Sequence, residues 1–242
     1  YLKKHNNKWK EYFASPLFHP NDPLSIYEKN QLDSLQNIKL IQVKKESIPR
    51  QGINTCGANS IFIFDEYISI DERICKLSNS EIKDVILPKS FIFPLATKEN
   101  FKSISEKNHK WVLLPYKKNG KVLSKPEIEL YPELYNYLLN HETTLKNRRG
   151  TMINSQIARG YWWALLGVGP YNFFPYKIIW ESYGKKQFKP QIFGKNWQAN
   201  QSLQSYIPLR TKEEANLVLK QLENKDIENY LLSLKMESTM NW

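Results

Sequence analysis

Arg50-Gln51-Gly52-Ile53-Asn54-Thr55-Cys56-Gly57-Ala58-Asn59-Ser60-Ile61-Phe62 is the stretch from which this chain is best read. Gly52, Gly57, Asn54, Thr55 and Asn59 crowd together just ahead of the apolar run Ile61-Phe62-Ile63-Phe64. Glycine tolerates positive φ and close backbone approach, while Asn and Thr carry short, nearly rigid hydrogen-bonding groups. A loop built this way can lie against a flat polar partner. It can equally be a tight turn feeding a buried strand, and these residues leave both readings open.

With 242 residues the chain can bury a sizeable core, and it reads as one domain over 1–242. An apolar content of 41% with a mean hydropathy of −0.58 suits a folded, soluble protein rather than a disordered one. No apolar run is long enough to span a bilayer, and the polar N-terminus lacks a signal-peptide core, so a cytoplasmic location is expected. A start at Tyr1 rather than Met is read as a piece of a longer polypeptide, with further function upstream. Cys56 and Cys75 are too few for a disulfide framework and are expected to be reduced thiols. His5, His19, His109 and His141 are scattered without metal-ligand spacing. Gly167-Val168-Gly169 runs into Pro170 and lacks the third glycine of a dinucleotide fingerprint.

Net charge is +11, which favours a polyanionic partner, and its distribution says more than its total. Residues 141–201 hold nine basic and two acidic side chains, whereas residues 202–242 hold five and six. The nine are Lys146, Arg148, Arg149, Arg159, Lys177, Lys185, Lys186, Lys189 and Lys195. Clustered cations neutralise neighbouring phosphates and release counterions. The same stretch is aromatic: 12 of the chain's 32 aromatic residues lie between Tyr161 and Trp197. Rings interleaved with cations suit nucleic-acid contact, although any single ring is better read as core filling.

Pattern along the chain predicts an α+β fold. A helical lead-in over residues 1–40 has helices at Lys8–Ala14 and Ile26–Leu35, broken by Pro16, Pro20 and Pro23. A mixed, β-rich body over 41–200 follows, with strands at Ile38–Val43, Ile61–Phe64, Trp111–Pro115, 176–181 and 191–193. Pro132–Arg149 has helical spacing, ended by Gly150. A helical hairpin over 201–242 closes the chain. Its first helix opens on the capping box Thr211-Lys212-Glu213-Glu214 and carries the stripe Ala215, Val218, Leu219, Leu222; Ile227, Tyr230, Leu231 and Leu234 mark the second.

In order, the landmarks resemble the C-terminal specificity domain of Taq-type adenine-N6 DNA methyltransferases and related restriction–modification fusions. They are Gln51-Gly52-Ile53-Asn54-Thr55 with Gly57, Asn59 and Phe62; Leu87-Pro88; Pro115-Tyr116; Tyr131-Pro132 with Tyr137-Leu138; and Leu145 with Arg148-Arg149. Trp162-Trp163, Pro175-Tyr176-Lys177-Ile178 and the closing hairpin complete the series. Two departures stand out. Cys56 intervenes before Gly57, and Asn172-Phe173-Phe174-Pro175-Tyr176 lacks the consecutive prolines of the family's catalytic tetrad, so it reads as part of the aromatic body. The resemblance implies a piece that reads double-stranded DNA, with catalysis and the S-adenosylmethionine site in an upstream module of the same polypeptide. Under it, Arg148, Arg149, Arg159, Lys177, Lys185 and Lys186 would contact phosphates, and Asn54, Thr55 and Asn59 base edges. Arg50, Lys146 and Trp163 join the DNA-binding set.

Two other classes stay open. Asp65 or Asp71 with Glu81-Ile82-Lys83 resembles the spaced carboxylates and lysine of a Mg²⁺-dependent nuclease, although such a triplet arises by chance in a chain rich in Glu and Lys. A basic, aromatic surface could also meet an acidic protein partner.

Overall fold

The computed structural model describes residues 2–5, 8–16, 20–21, 24–27, 48–97, 109–181, 188–194, 196–201 and 205–228. Strands and helices are interspersed, so the fold is α+β as the pattern predicts. The lead-in differs. Leu2–His5 (β1) and Lys8–Glu11 (β2) pair antiparallel, as do Phe13–Ser15 (β3) and Ser25–Tyr27 (β4). Trp9, Tyr12 and Phe13 are aromatic strand formers, and pairing prevails over the helix expected at Lys8–Ala14. Ile26 likewise lies in a strand; the rest of the Ile26–Leu35 helix and the Ile38–Val43 strand fall outside the described residues.

The 50–62 stretch ends not in a strand but in one helical turn, Asn59–Phe62 (α1), in which the Ala58 carbonyl accepts the amides of Ile61 and Phe62. Ile63–Phe64 (β5) then begins the pairing. It joins a four-stranded sheet in the order Gln198–Ala199 (β13), Ile92–Ala96 (β9), Lys110–Leu113 (β10), β5. Glu66–Ser69 (β6), Ile74–Ser78 (β7) and Val85–Pro88 (β8) form an antiparallel meander beside it. Its alternation is plain: Cys75, Leu77 and Leu87 are buried, whereas Ile68 and Ile86 are exposed in register with Lys76.

Lys125–Ile128 (α2), Pro132–Asn140 (α3), Glu142–Lys146 (α4) and Thr151–Ala158 (α5) follow. The helix expected over Pro132–Arg149 is therefore two. His141, at φ −110° and ψ 9°, leaves the helical region between them. Gly150, at φ +132°, does more than end a helix, because it is also the N-cap of α5. Leu134, Tyr137 and Leu138 lie on one face of α3 and join Phe62, Phe64, Leu95, Leu113 and Trp163 in the largest core.

A second sheet, in the order Gln191–Phe193 (β12), Tyr176–Trp180 (β11), Ser205–Leu209 (β14), carries Lys212–Leu222 (α6) on one face. Ala215, Val218, Leu219 and Leu222 pack on Ile178, Trp180, Ile207 and Leu209, the stripe read in the sequence. Thr211 Oγ1 accepts the Glu214 amide at 3.1 Å, while Glu214 reaches back to the amide of Arg210 rather than that of Thr211. A further helical turn starts at residues 225–228, and the remainder of the hairpin's second helix lies outside the described residues.

Candidate nucleic-acid interface

The 50–62 loop is stitched into the body by its backbone. Arg50 exchanges two hydrogen bonds with Tyr206 at 2.9 Å, the Ile53 amide meets the Ala199 carbonyl at 2.7 Å, and Asn54 and Leu166 exchange two at 3.0 Å. Gly52 makes this crossing feasible, since a Cβ there would come within 2.1 Å of the Asn200 carbonyl oxygen. Cys56 and Gly57 then turn the chain through positive φ, +54° and +90°. The Asn54 Oδ1 accepts the Cys56 amide at 2.7 Å, an Asx turn that offsets the strain of a non-glycine residue in the left-handed region. Burial pushes the Cys56 thiol above its ordinary range.

Arg148 fixes this loop from beneath. It is buried, and its guanidinium donates to the carbonyls of Leu145 (3.0 Å), Thr55 (3.2 Å), Ala164 (2.8 Å) and Trp162 (2.6 Å). Arg148 is therefore an internal brace and not a phosphate contact. The same correction applies to two others. Lys177 is 1% exposed, donates to the Asn172 and Phe174 carbonyls, and has its pKa pushed down to about 7 by burial. Trp163 is a core side chain whose indole donates to the Leu123 carbonyl at 3.0 Å. Sequence registers the charge of Arg148 and Lys177 but not the ring of carbonyls that draws each inward.

Other expected residues do face solvent. Lys146 is exposed and ion-paired with Glu142 at 2.7 Å; Arg149, the chain neighbour of the brace, is exposed. Arg159 is exposed with its guanidinium over the Tyr161 ring, and half-buried Arg50 lies over Tyr171. Lys185 and Lys186 fall outside the described residues.

Asn54, Thr55 and Asn59 meet in one cleft of about 250 Å³, where Asn200 and Gln201 join them. Thr55 is buried and its hydroxyl donates to Asn59 Oδ1, so it positions Asn59 rather than reaching a partner itself. Asn54 and Asn59 thus each have an amide oxygen engaged within the loop, which leaves donation to their Nδ2 groups. Asn200 and Gln201 carried no local signal in the sequence. They arrive through the parallel bridge between Ile53 and Asn200.

An adjoining cleft shares Asn59, Ile63 and Asn200 and adds Asp65, Asn79, Glu81 and Lys110. Two of the carboxylates considered for metal chemistry are therefore near each other, but Asp65 is paired with Lys110 at 3.0 Å. Asp71 caps the β6–β7 turn by accepting the Arg73 and Ile74 amides, bonds that hold its carboxyl below the usual range. It sits at the far end of β7 from Glu81. Among the described residues, no three His, Cys, Asp or Glu side chains group as metal ligands. No described helix is long and apolar enough to cross a membrane.

No family model matches this sequence, and no curated protein matches it. Among solved structures, the chain is similar to part of MmeI, a Type IIL restriction-modification enzyme in complex with DNA, at 10% identity and a TM-score of 0.45. That match covers 84% of this chain and 25% of the enzyme, so the chain spans about a quarter of the enzyme's length.

Proposed function

We propose that this chain is a target-recognition domain that reads double-stranded DNA for an adenine-N6 methyltransferase or restriction–modification enzyme. Catalysis and S-adenosylmethionine binding belong, on this reading, to an upstream module of the same polypeptide. The observation that supports it is the cleft where Asn54 and Asn59 meet Asn200 and Gln201, on a loop held rigid by Arg148 and by the Gly52 crossing. Rigid amide donors suit the acceptor atoms on base edges, such as purine N7, guanine O6 and thymine O4. Arg149, Arg159, Arg50 and Lys146 are left to meet phosphates, contacts that set register without reading sequence.

The test is selection of bound duplexes from a randomised pool, followed by affinity measurements at several salt concentrations. A preferred sequence should emerge, and Asn59→Asp, which keeps the oxygen that accepts the Thr55 hydroxyl but loses the amide donor, should relax it by about 1–3 kcal/mol at one position. Duplex binding that is absent, or that ignores both sequence and salt, would sink the reading.

A further inference from the structure

The segment 162–168 also borders a second cleft. Leu166 turns its backbone to Asn54, whereas Leu165 and Val168 line a separate cleft of about 530 Å³. Its other residues include Lys117 and Lys121 from the turn after β10, Ser124 and Glu127 from the start of α2, and Gln156, Arg159 and Tyr161 from the end of α5 and just beyond it.

Charge within this cleft is unbalanced. Glu127 is committed to the Lys117 ammonium at 2.7 Å and to the Ser124 amide and hydroxyl. Those hydrogen bonds, the one from Lys117 foremost, hold its carboxyl down at about 2, so it stays anionic and neutralises Lys117. Lys121 and Arg159 have no carboxylate opposite them in the lining. Arg159 lies over the Tyr161 ring at 5.6 Å, which holds its planar head in place, and Arg presents a fork suited to phosphate oxygens. Sequence reading placed Arg159 among phosphate contacts but gave no sign of Lys117 or Lys121. They reach the cleft because the Lys117 amide pairs with the Lys121 carbonyl across a turn closed at Gly120.

We propose that this cleft is a phosphate-binding site that grips the backbone of the same duplex whose base edges meet the Asn54–Asn59 cleft, with Lys121 and Arg159 as the phosphate ligands. It rests on the DNA-reading function above and divides the labour between two clefts: amides in one read, cations in the other hold.

The experiment compares the full chain with Lys121→Ala/Arg159→Ala, using a duplex carrying the selected sequence and another of scrambled sequence, from 50 to 200 mM salt. Lys212→Ala/Lys220→Ala, which removes two exposed charges from α6, is the control for net charge. Loss of two phosphate contacts makes the cleft variant's affinity fall about tenfold less across that salt range than the wild type's, at unchanged preference for the selected duplex. The α6 variant should keep the wild-type salt dependence. If both double variants behave alike, or the cleft variant keeps the wild-type salt dependence, the proposal fails while the DNA-reading function stands. Loss of sequence preference in the cleft variant overturns the division of labour. A wild-type chain that binds no duplex at 50 mM salt overturns both readings.

Discussion

Arg148 gives the sharpest lesson at the scale of single residues. Its position beside Arg149, in the most basic quarter of the chain, suggests a surface cation, yet its head group serves four backbone carbonyls and stacks over Phe62. Truncation leaves those acceptors short of a donor in a dry interior, at about 1–3 kcal/mol each. Arg148→Ala should therefore lose on the order of 4 kcal/mol or more of unfolding free energy in urea. Arg148→Lys should rescue little, because a single ammonium cannot span carbonyls on residues 55, 145, 162 and 164. Arg149→Ala should change stability by less than about 0.5 kcal/mol. Equal stabilities for the two alanine variants would refute the brace. Lys177 makes a different prediction. Burial lowers its pKa from 10.5 to about 7, so between those values the unfolded chain binds a proton that the folded chain does not. Stability should then rise with pH across that window, and Lys177→Met should flatten the rise. Melting temperatures from pH 7 to 8 test this, below the range where the thiols of Cys56 and Cys75, both raised by burial in the fold, give up protons on unfolding and oppose the rise. A Met variant with the wild-type pH slope would show that the amine is not the cause.

Among the elements, legibility followed how local the deciding forces are. The α6 stripe, its Thr211 cap, β11 and β12 were all readable, because an amphipathic period and a cap hydroxyl act within a few residues. Lys8–Ala14 was misread, since its strands exist through pairing partners that periodicity does not name. α5 was missed for a related reason. Gly150 looks like a stop signal, and only its φ of +132° with the amide of Asn154 on its carbonyl shows that a helix begins there. The candidate site divides the same way. Asn54 and Asn59 were legible as exposed polar groups in a glycine-bearing loop, whereas Asn200 and Gln201 depend on a bridge spanning more than half the chain. Of the eleven described rings of the Tyr161–Trp197 stretch, five went to the interior and six are half-buried. Trp162, Trp163, Trp180, Phe188 and Phe193 are all buried, as expected of side chains whose large apolar area dominates core packing.

At the scale of the whole molecule, the 50–54 segment runs along the junction of two bodies, which also share a small core of Ala96, Ile179, Phe193, Ala199 and Tyr206. One holds Phe62, Leu113 and Trp163; the other holds Ile178, Trp180 and Ala215 under α6. Arg50 pairs with Tyr206 in the second sheet, and Asn54 pairs with Leu166 in the first body. Both unions depend on backbone nearly touching backbone at Gly52, whose carbonyl oxygen would in turn lie 2.6 Å from a Cβ on Gly167. A methyl group on Gly52 must push residues 199–200 away, and overpacking of this kind costs about 1–3 kcal/mol. The consequence should be a lower melting temperature in one undivided transition, because the shared core around Ile179 and Tyr206 keeps the two bodies coupled. Wild type and Gly52→Ala should each unfold in a single calorimetric endotherm, the variant's at the lower temperature. Gly57→Ala is the matched control: its φ of +90° strains an alanine, but open space surrounds the added methyl. It should cost about 1–2 kcal/mol and leave the single endotherm intact. A Gly52→Ala endotherm at the wild-type temperature would show that residues 199–200 yield freely, and a divided one would show that the shared core does not couple the two bodies.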